Sequence, residues 1–422
     1  MALDYLRRYV KTNTDAALAI EPRLDESGQY PLESLLAGRL MHGTDGACFV
    51  TDTTRQVDEQ YGTHRFGAWS SVTAANLSLI AHDTELAYAD LTGAVFLDTE
   101  TTGLSMGAGT HVFLVGAGYF EGSEFHVRQF FLRGPDEESS LLEALDAFLR
   151  RFSLLITFNG KAFDWPLLES RFLGNRQFRR APLDDPLHLD LLHPARRFWK
   201  RRLDNCRLSS LERQILGLER TEEDVPGWMI PSMYFAYLRS GDGRNLRRVF
   251  YHNLHDILSL AGLTLHMNAM IANPAGGLVS HAVDFLCLAR AYERAGAVEE
   301  ALLCLEEALH RQPETEIRCE SLLQLAALYK HERRWDTAWI IWERLLDEGG
   351  ECSLYALIER AKYQEHVEHA YLEALDDVQQ ALTLLELQPA RCDDEQRAEL
   401  EHRRGRLISR AYRHRSWSDR RR

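Results

Sequence analysis

Ala94-Val95-Phe96-Leu97-Asp98-Thr99-Glu100-Thr101-Thr102-Gly103-Leu104 joins an apolar run to two acids and a glycine. Four apolar residues are too few for a helix and read as a buried strand. Residues two apart in a strand point to the same side, so Asp98 and Glu100 face one way at its C-terminal end. Two carboxylates there repel each other unless positive charge lies between them. A hard divalent cation with oxygen ligands is the usual solution. Gly103 permits a turn beside the pair. The competing reading is a solvated strand end.

The residues downstream extend the strand into a sheet. Val112-Phe113-Leu114-Val115-Gly116 and Phe125 to Leu132 are two more strand-like runs with turn residues between them, which predicts an antiparallel meander. Asp136 to Arg151 carries Leu141, Leu142, Leu145 and Phe148 at helical spacing. Leu154 to Phe158 reads as a fourth strand, a helix follows from Asp164, and Leu189 to Leu192 is a possible fifth strand. A long helix from about Leu246 to Met270 closes the region. The pattern predicts an α/β layer fold with a mixed sheet.

Two further segments carry chemistry-bearing residues. In Phe158-Asn159-Gly160-Lys161-Ala162-Phe163-Asp164-Trp165-Pro166, Asp164 stands where a loop gives way to a helix. It suits an N-cap, or a third carboxylate beside Asp98 and Glu100. In Tyr251-His252-Asn253-Leu254-His255-Asp256, His252 and Asp256 are four apart and share a helix face. An imidazole beside an acid can pair a general base with a metal ligand.

In this order, Asp-x-Glu, Asp and His/Asp resemble the DEDD-type 3′–5′ exonucleases of the ribonuclease H-like superfamily. The resemblance covers about residues 94–268 and is most specific to the bacterial YprB-like ribonuclease H-like domain. It is carried by DTETTGL, NGKAFDWPLL, HLDLLHPARRFW, GLERTEEDVPGW and HNLHDILSL. It implies Asp98, Glu100, Asp164 and Asp256 as ligands of two divalent metal ions, Mg²⁺ or Mn²⁺, and phosphodiester hydrolysis at a single-stranded 3′ end of DNA or RNA. The family's base is a His five residues before the last Asp, or a Tyr four before it. Here Tyr251 and His252 occupy those slots in exchanged order. His252 is assigned as the base because it shares the Asp256 face. Tyr251 points about 100° away on an ideal helix, toward the core. His255, adjacent to Asp256, faces elsewhere. The resemblance also suggests Thr99 and Leu104 as contacts of the terminal nucleotide. Asn159, Phe163 and Lys161 are placed in the same cleft, although a loop lysine is often only solvated. Trp165 and Trp228 suit either base stacking or core packing.

The last third is helical and repetitive. Leu288, Ala289, Tyr292, Ala301, Leu305, Ala308 and Pro313 match the slots of a 34-residue tetratricopeptide repeat. Leu325, Ala326, Tyr329, Ala338, Trp342 and Leu345 repeat them, and Ala374, Val378 and Ala381 mark a weaker third unit. The expected organisation is an N-terminal extension over 1–90, a ribonuclease H-like domain over 91–272, tetratricopeptide-like repeats over 281–410, and a basic tail over 411–422. The repeats suit a protein partner.

The chain carries 63 acids against 49 bases, a net charge of −14, which argues against nucleic acid only if charge is spread evenly. It is not: residues 171–220 hold 12 bases and 6 acids, densest at Arg196-Arg197-Phe198-Trp199-Lys200-Arg201-Arg202. Basic residues interleaved with aromatics suit a single-stranded path or a solvated face. Nine arginines follow from Arg403. A composition 45% hydrophobic and 27% charged excludes a disordered chain or a disulfide miniprotein. No apolar stretch reaches ~18 residues, so no membrane span is expected. The N-terminus does not read as a secretory signal. The seven cysteines form no CxxC pair, which predicts reduced thiols and a cytoplasmic location. Two other readings stay open: an inactive nuclease-like scaffold acting through its repeats, and a structural metal-binding domain.

Overall fold

A computed structural model describes residues 24, 29–103, 109–183, 186–221, 223–387 and 394–418. The chain forms two compact units, 1–273 and 274–422.

The first unit is built on a seven-stranded mixed sheet. Its strands are β1 (Gly38–Gly43), β2 (Gly46–Gln56), β3 (Ala94–Thr101), β4 (Val112–Glu121), β5 (Glu124–Phe131), β6 (Leu154–Thr157) and β7 (Leu187–Asp190). The spatial order is β1-β2-β5-β4-β3-β6-β7. The expected meander is β3-β4-β5, antiparallel throughout, and β6 and β7 continue it in parallel. β1 and β2 add an antiparallel pair beside β5, so part of the N-terminal region extends the sheet itself.

The unit's longer helices are α1 (Ala74–Ala81), α2 (Glu138–Leu149), α3 (Asp164–Gly174), α4 (Leu192–Trp199), α5 (Ile230–Ser240) and α6 (Leu246–Ala272). α6 is the longest, and 20 of its 27 residues are buried. It can lie close to the sheet because β4 presents Gly116 and Gly118. A Cβ at Gly116 would stand 2.3 Å from Asn253 Oδ1 and 2.9 Å from Ile257 Cγ1. One at Gly118 would stand 2.5 Å from Ile257 Cγ2.

The second unit is helical: α7 (Ala282–Arg294), α8 (Val298–His310), α9 (Thr315–His331), α10 (Trp335–Glu348), α11 (Gly350–Tyr363), α12 (Tyr371–Leu387) and α13 (Asp394–Ser418). Every residue placed in a repeat slot is buried, Ala289, Ala301, Ala326, Ala338, Ala374 and Ala381 completely. These small residues let paired helices approach. The arginine-rich end continues α13 to Ser418. Arg403, Arg406 and Arg410 converge on Glu365, whose side chain has no exposure. Cys319 and Cys352 lie side by side, their Cα atoms 6.4 Å apart, within reach of a disulfide. Cys48, Cys206, Cys287 and Cys304 are buried thiols. Cys392 lies outside the described residues. Among the described residues no helix is long and apolar enough to cross a membrane.

Gly116→Ala tests the approach of α6. The added methyl has no room, so unfolding free energy in urea should fall by about 1–3 kcal/mol. Gly174→Ala, where nothing lies within 4 Å, should leave it unchanged or slightly raised.

Candidate active site

A row of residues in register across four strands faces α6. Thr51 on β2 pairs with Gln129 on β5, Gln129 with Gly116 on β4, and Gly116 with Asp98 on β3. Gly116 leaves the gap that Asn253 fills. Gln129 accepts from Thr51 Oγ1 at 3.2 Å and donates to Asn253 Oδ1 at 2.9 Å. Asn253 Nδ2 in turn donates to Asp98 Oδ2 at 2.9 Å. A fully buried amide thus ties the first acid to the helix that carries the last one.

One turn of α6 presents His252 and Asp256 beside that row. His252 Nε2 lies 3.4 Å from Asp256 Oδ2 and 3.9 Å from Glu100 Oε1. Its Nδ1 bonds Asp224 Oδ1 at 2.7 Å. Asp164 is the first residue of α3, with Phe163 at the cap position. Its carboxylate accepts the Thr99 hydroxyl, which ties it to β3. The four acids are near enough to disturb one another. Burial pushes Asp98 well above the usual carboxylate range, and Asp256, Asp164 and Glu100 push it further. Burial lifts Glu100 to about 8, against the opposing pull of His252. Asp164 rises to about 6, again chiefly through burial. Burial would lower His252, but Asp256, the Asp224 hydrogen bond and Glu100 outweigh it and hold the ring at about 9.

The donors fit a divalent cation. Ligand atoms of Glu100, His252 and Asp256 lie within 4.8 Å of one another. Buried carboxyls that resist ionisation are short of positive charge, which a cation supplies.

Arg220 supplies some of it. It donates to Asp256, and to Glu212 through Nε at 2.9 Å and Nη2 at 2.5 Å. Its Nη1 lies 3.2 Å from His252 Nδ1 and 3.5 Å from Asp224. Glu212, itself buried, also accepts from Ser259 at 2.5 Å, and Ser259 Oγ lies 2.9 Å from the Tyr61 hydroxyl. Sequence reasoning gave no role to Arg220, Asp224 or Asn253, although all three lie in the motifs GLERTEEDVPGW and HNLHDILSL. A lone Arg or Asn in a motif does not reveal which carboxylate it meets.

The other candidates are placed as follows. Tyr251 points away: its hydroxyl accepts from Thr221 Oγ1 at 3.0 Å, and its ring lies 4.2 Å from His255. His255 faces Tyr61 at 3.4 Å. Thr99 is buried and its hydroxyl is engaged by Asp164, so that side chain is not free for a nucleotide. Leu104 lies outside the described residues. Asn159 and Lys161 are exposed and Phe163 is half-buried. Asp190, buried in HLDLLHPARRFW, accepts the backbone N–H groups of Asn159 at 2.8 Å and Lys161 at 3.1 Å. It thereby fixes the turn in which Asn159 has φ +66°. Trp165 packs in the core, whereas Trp228 is 75% exposed. Phe198 and Trp199 are buried, so the aromatics of the basic stretch are core residues and do not line a strand path.

Residues 95–268 match the family described as RNase_H superfamily. The chain is also 32% identical, over 372 residues and 87% of each chain, to "Uncharacterized protein YprB" of Bacillus subtilis (strain 168).

The raised carboxyls give a pH test. Glu100 is protonated more easily folded than unfolded, so its contribution favours folding most at low pH and is lost as pH rises from about 4.5 to about 8. Without divalent ions, Glu100→Gln should raise Tm more at pH 8 than at pH 5, by about 2–4 °C per kcal/mol of the burial and repulsion cost removed. Mg²⁺ or Mn²⁺ should raise the Tm of the unsubstituted protein and narrow that difference.

Proposed function

The chain belongs to the RNase H superfamily through residues 95–268, and to the family of the Bacillus subtilis protein, and from that premise we propose a metal-dependent 3′–5′ exonuclease acting on DNA or RNA. The observation that carries the reading is the convergence of Glu100, His252 and Asp256, electrostatically joined to Asp98 and Asp164. Two divalent ions, Mg²⁺ or Mn²⁺, held by Asp98, Glu100, Asp164 and Asp256, would neutralise the carboxylates and the attacked phosphate.

The side chains have separable roles on this reading. Cations on Glu100 and Asp256 would offset the negative charge that keeps the His252 ring protonated, so that Nε2, the nitrogen that faces those two acids, is free to take the proton of the attacking water. Asp224 holds the ring by Nδ1 and stabilises the imidazolium that forms. Arg220 fixes Asp256, and Asn253 fixes Asp98. Lys161, Asn159 and Phe163 contact the terminal nucleotide. The helical hairpins of the second unit are tetratricopeptide-like repeats that engage a protein partner, a reading supported by burial of every repeat slot.

One observation favours the inactive scaffold. Arg220 already places a cation on Asp256, where an ion would bind. End-labelled single-stranded DNA and RNA, incubated with Mn²⁺, Mg²⁺ or chelator, separate the two readings. The nuclease shortens them from the 3′ end in a metal-dependent way, and Asp98→Ala abolishes this. His252→Ala should slow hydrolysis by roughly 10²–10⁴-fold. A greater loss from Tyr251→Phe would reassign the base. Absence of shortening with either metal would leave the scaffold.

A further inference from the structure

Trp228 is a bulky apolar side chain left out of the core. It is 75% exposed and makes no ring contact or hydrogen bond among the described residues. The backbone that carries it is nonetheless firmly held. It sits on a short turn, Gly227–Met229, between Val225 and Ile230, which are 2% and 0% exposed. Arg248 donates to the carbonyls of Glu223 at 3.1 Å and Asp224 at 2.9 Å, just before the turn. Asp224 itself bonds His252. The turn is therefore fastened to the same helix that carries His252 and Asp256.

The residue before the tryptophan keeps the space toward the site open. Gly227 has an ordinary negative φ, so conformational freedom does not demand a glycine there. A Cβ at Gly227 would lie 4.0 Å from His252 Nε2, the nitrogen that faces Glu100 and Asp256. Any larger side chain would grow over that nitrogen. The exposed aromatic ring is thus next in the chain to a position that borders His252 Nε2 and has no other atom, its chain neighbours aside, within 4 Å of its Cβ direction.

We infer that Trp228 is a stacking platform for an unpaired nucleobase at the end of a single strand, and that Gly227 keeps the path from that base to the acids clear. This rests on the nuclease reading and specifies its substrate as an end with unstacked bases. Every base has a π-face, so the platform binds ends without regard to sequence. A base still paired and stacked in a blunt duplex has no free face to offer.

The test is fluorescence anisotropy of the full chain with a fluorescein-labelled single-stranded oligonucleotide in Ca²⁺, beside a blunt duplex of the same sequence. Trp228→Ala should weaken single-strand binding by roughly 5- to 150-fold, and Trp228→Phe should restore most of it. Duplex binding should change little. With Mn²⁺, Trp228→Ala should raise KM while kcat is held, and Gly227→Val should impair shortening even with Trp228 in place. Unchanged single-strand affinity in Trp228→Ala, beside metal-dependent shortening by the unsubstituted chain, would overturn the platform and leave the nuclease reading standing; the exposed ring would then be a protein contact. An unsubstituted chain that neither binds nor shortens any oligonucleotide would overturn both.

Discussion

The contact between Asn253 and the cross-strand row Thr51-Gln129-Gly116-Asp98 is the constraint on which the site depends. A buried amide is costly unless its groups are paired. Here Oδ1 is met by Gln129 and Nδ2 by Asp98, at 2.9 Å each. Both partners face the helix because strand register puts them opposite Gly116. The absent side chain at Gly116 permits the approach, and the hydrogen bonds set the helix's position along and around its axis. Once Asn253 is fixed, its neighbour His252 and the next turn's Asp256 must face Glu100. The position of the last acid is therefore decided two strands away from it.

That placement concentrates negative charge. Asp98, Glu100 and Asp164 all hold their protons more tightly than free carboxyls do, first because they are buried. Arg220 and His252 supply internal cations. Arg220 is shared with Glu212, a further buried acid, so its charge is only partly available to the site. His252 is likewise divided between Asp224 on one nitrogen and Glu100 and Asp256 on the other. Neither cation offsets four acids. The shortfall is a stability cost that a core built for packing alone would not carry, and a bound divalent ion would remove it.

The sequence disclosed the sheet and the acids well, for physical reasons. Strand β3 follows from four apolar residues and a turn glycine, and the meander from runs too short for helices. The Asp98/Glu100 pair follows from period two, and the face shared by His252 and Asp256 from period 3.6. The partners of these groups were not legible. Arg220 acts across 36 positions on Asp256, and Asn253 across 155 on Asp98, distances over which no local periodicity carries information. Asp164 had two readings as a sequence; the fold puts it one position past the cap, at the first residue of α3, and its carboxylate accepts the Thr99 hydroxyl. The two tryptophans were indistinguishable until burial separated them.

The basic stretches looked like surfaces for a phosphate backbone, yet the fold has already committed much of them. Arg171 pairs with Glu138 at 2.5 Å, and Arg220 with Glu212 and Asp256. Arg180, Arg197, Arg201 and Arg202 each have an interaction within the fold. Arg403, Arg406 and Arg410 of α13 close on Glu365. A protein that relied on a long basic groove would keep such groups free in water. This one spends many of them on internal order and gathers four acids, Asp98, Glu100, Asp164 and Asp256, at one place. On the proposed reading its hold on a nucleic acid end therefore comes from short-range contacts: cations at the carboxylates for the phosphate, and an aromatic face for the base. A net charge of −14 is compatible with that mode of binding, because its strength does not scale with the charge of the whole chain.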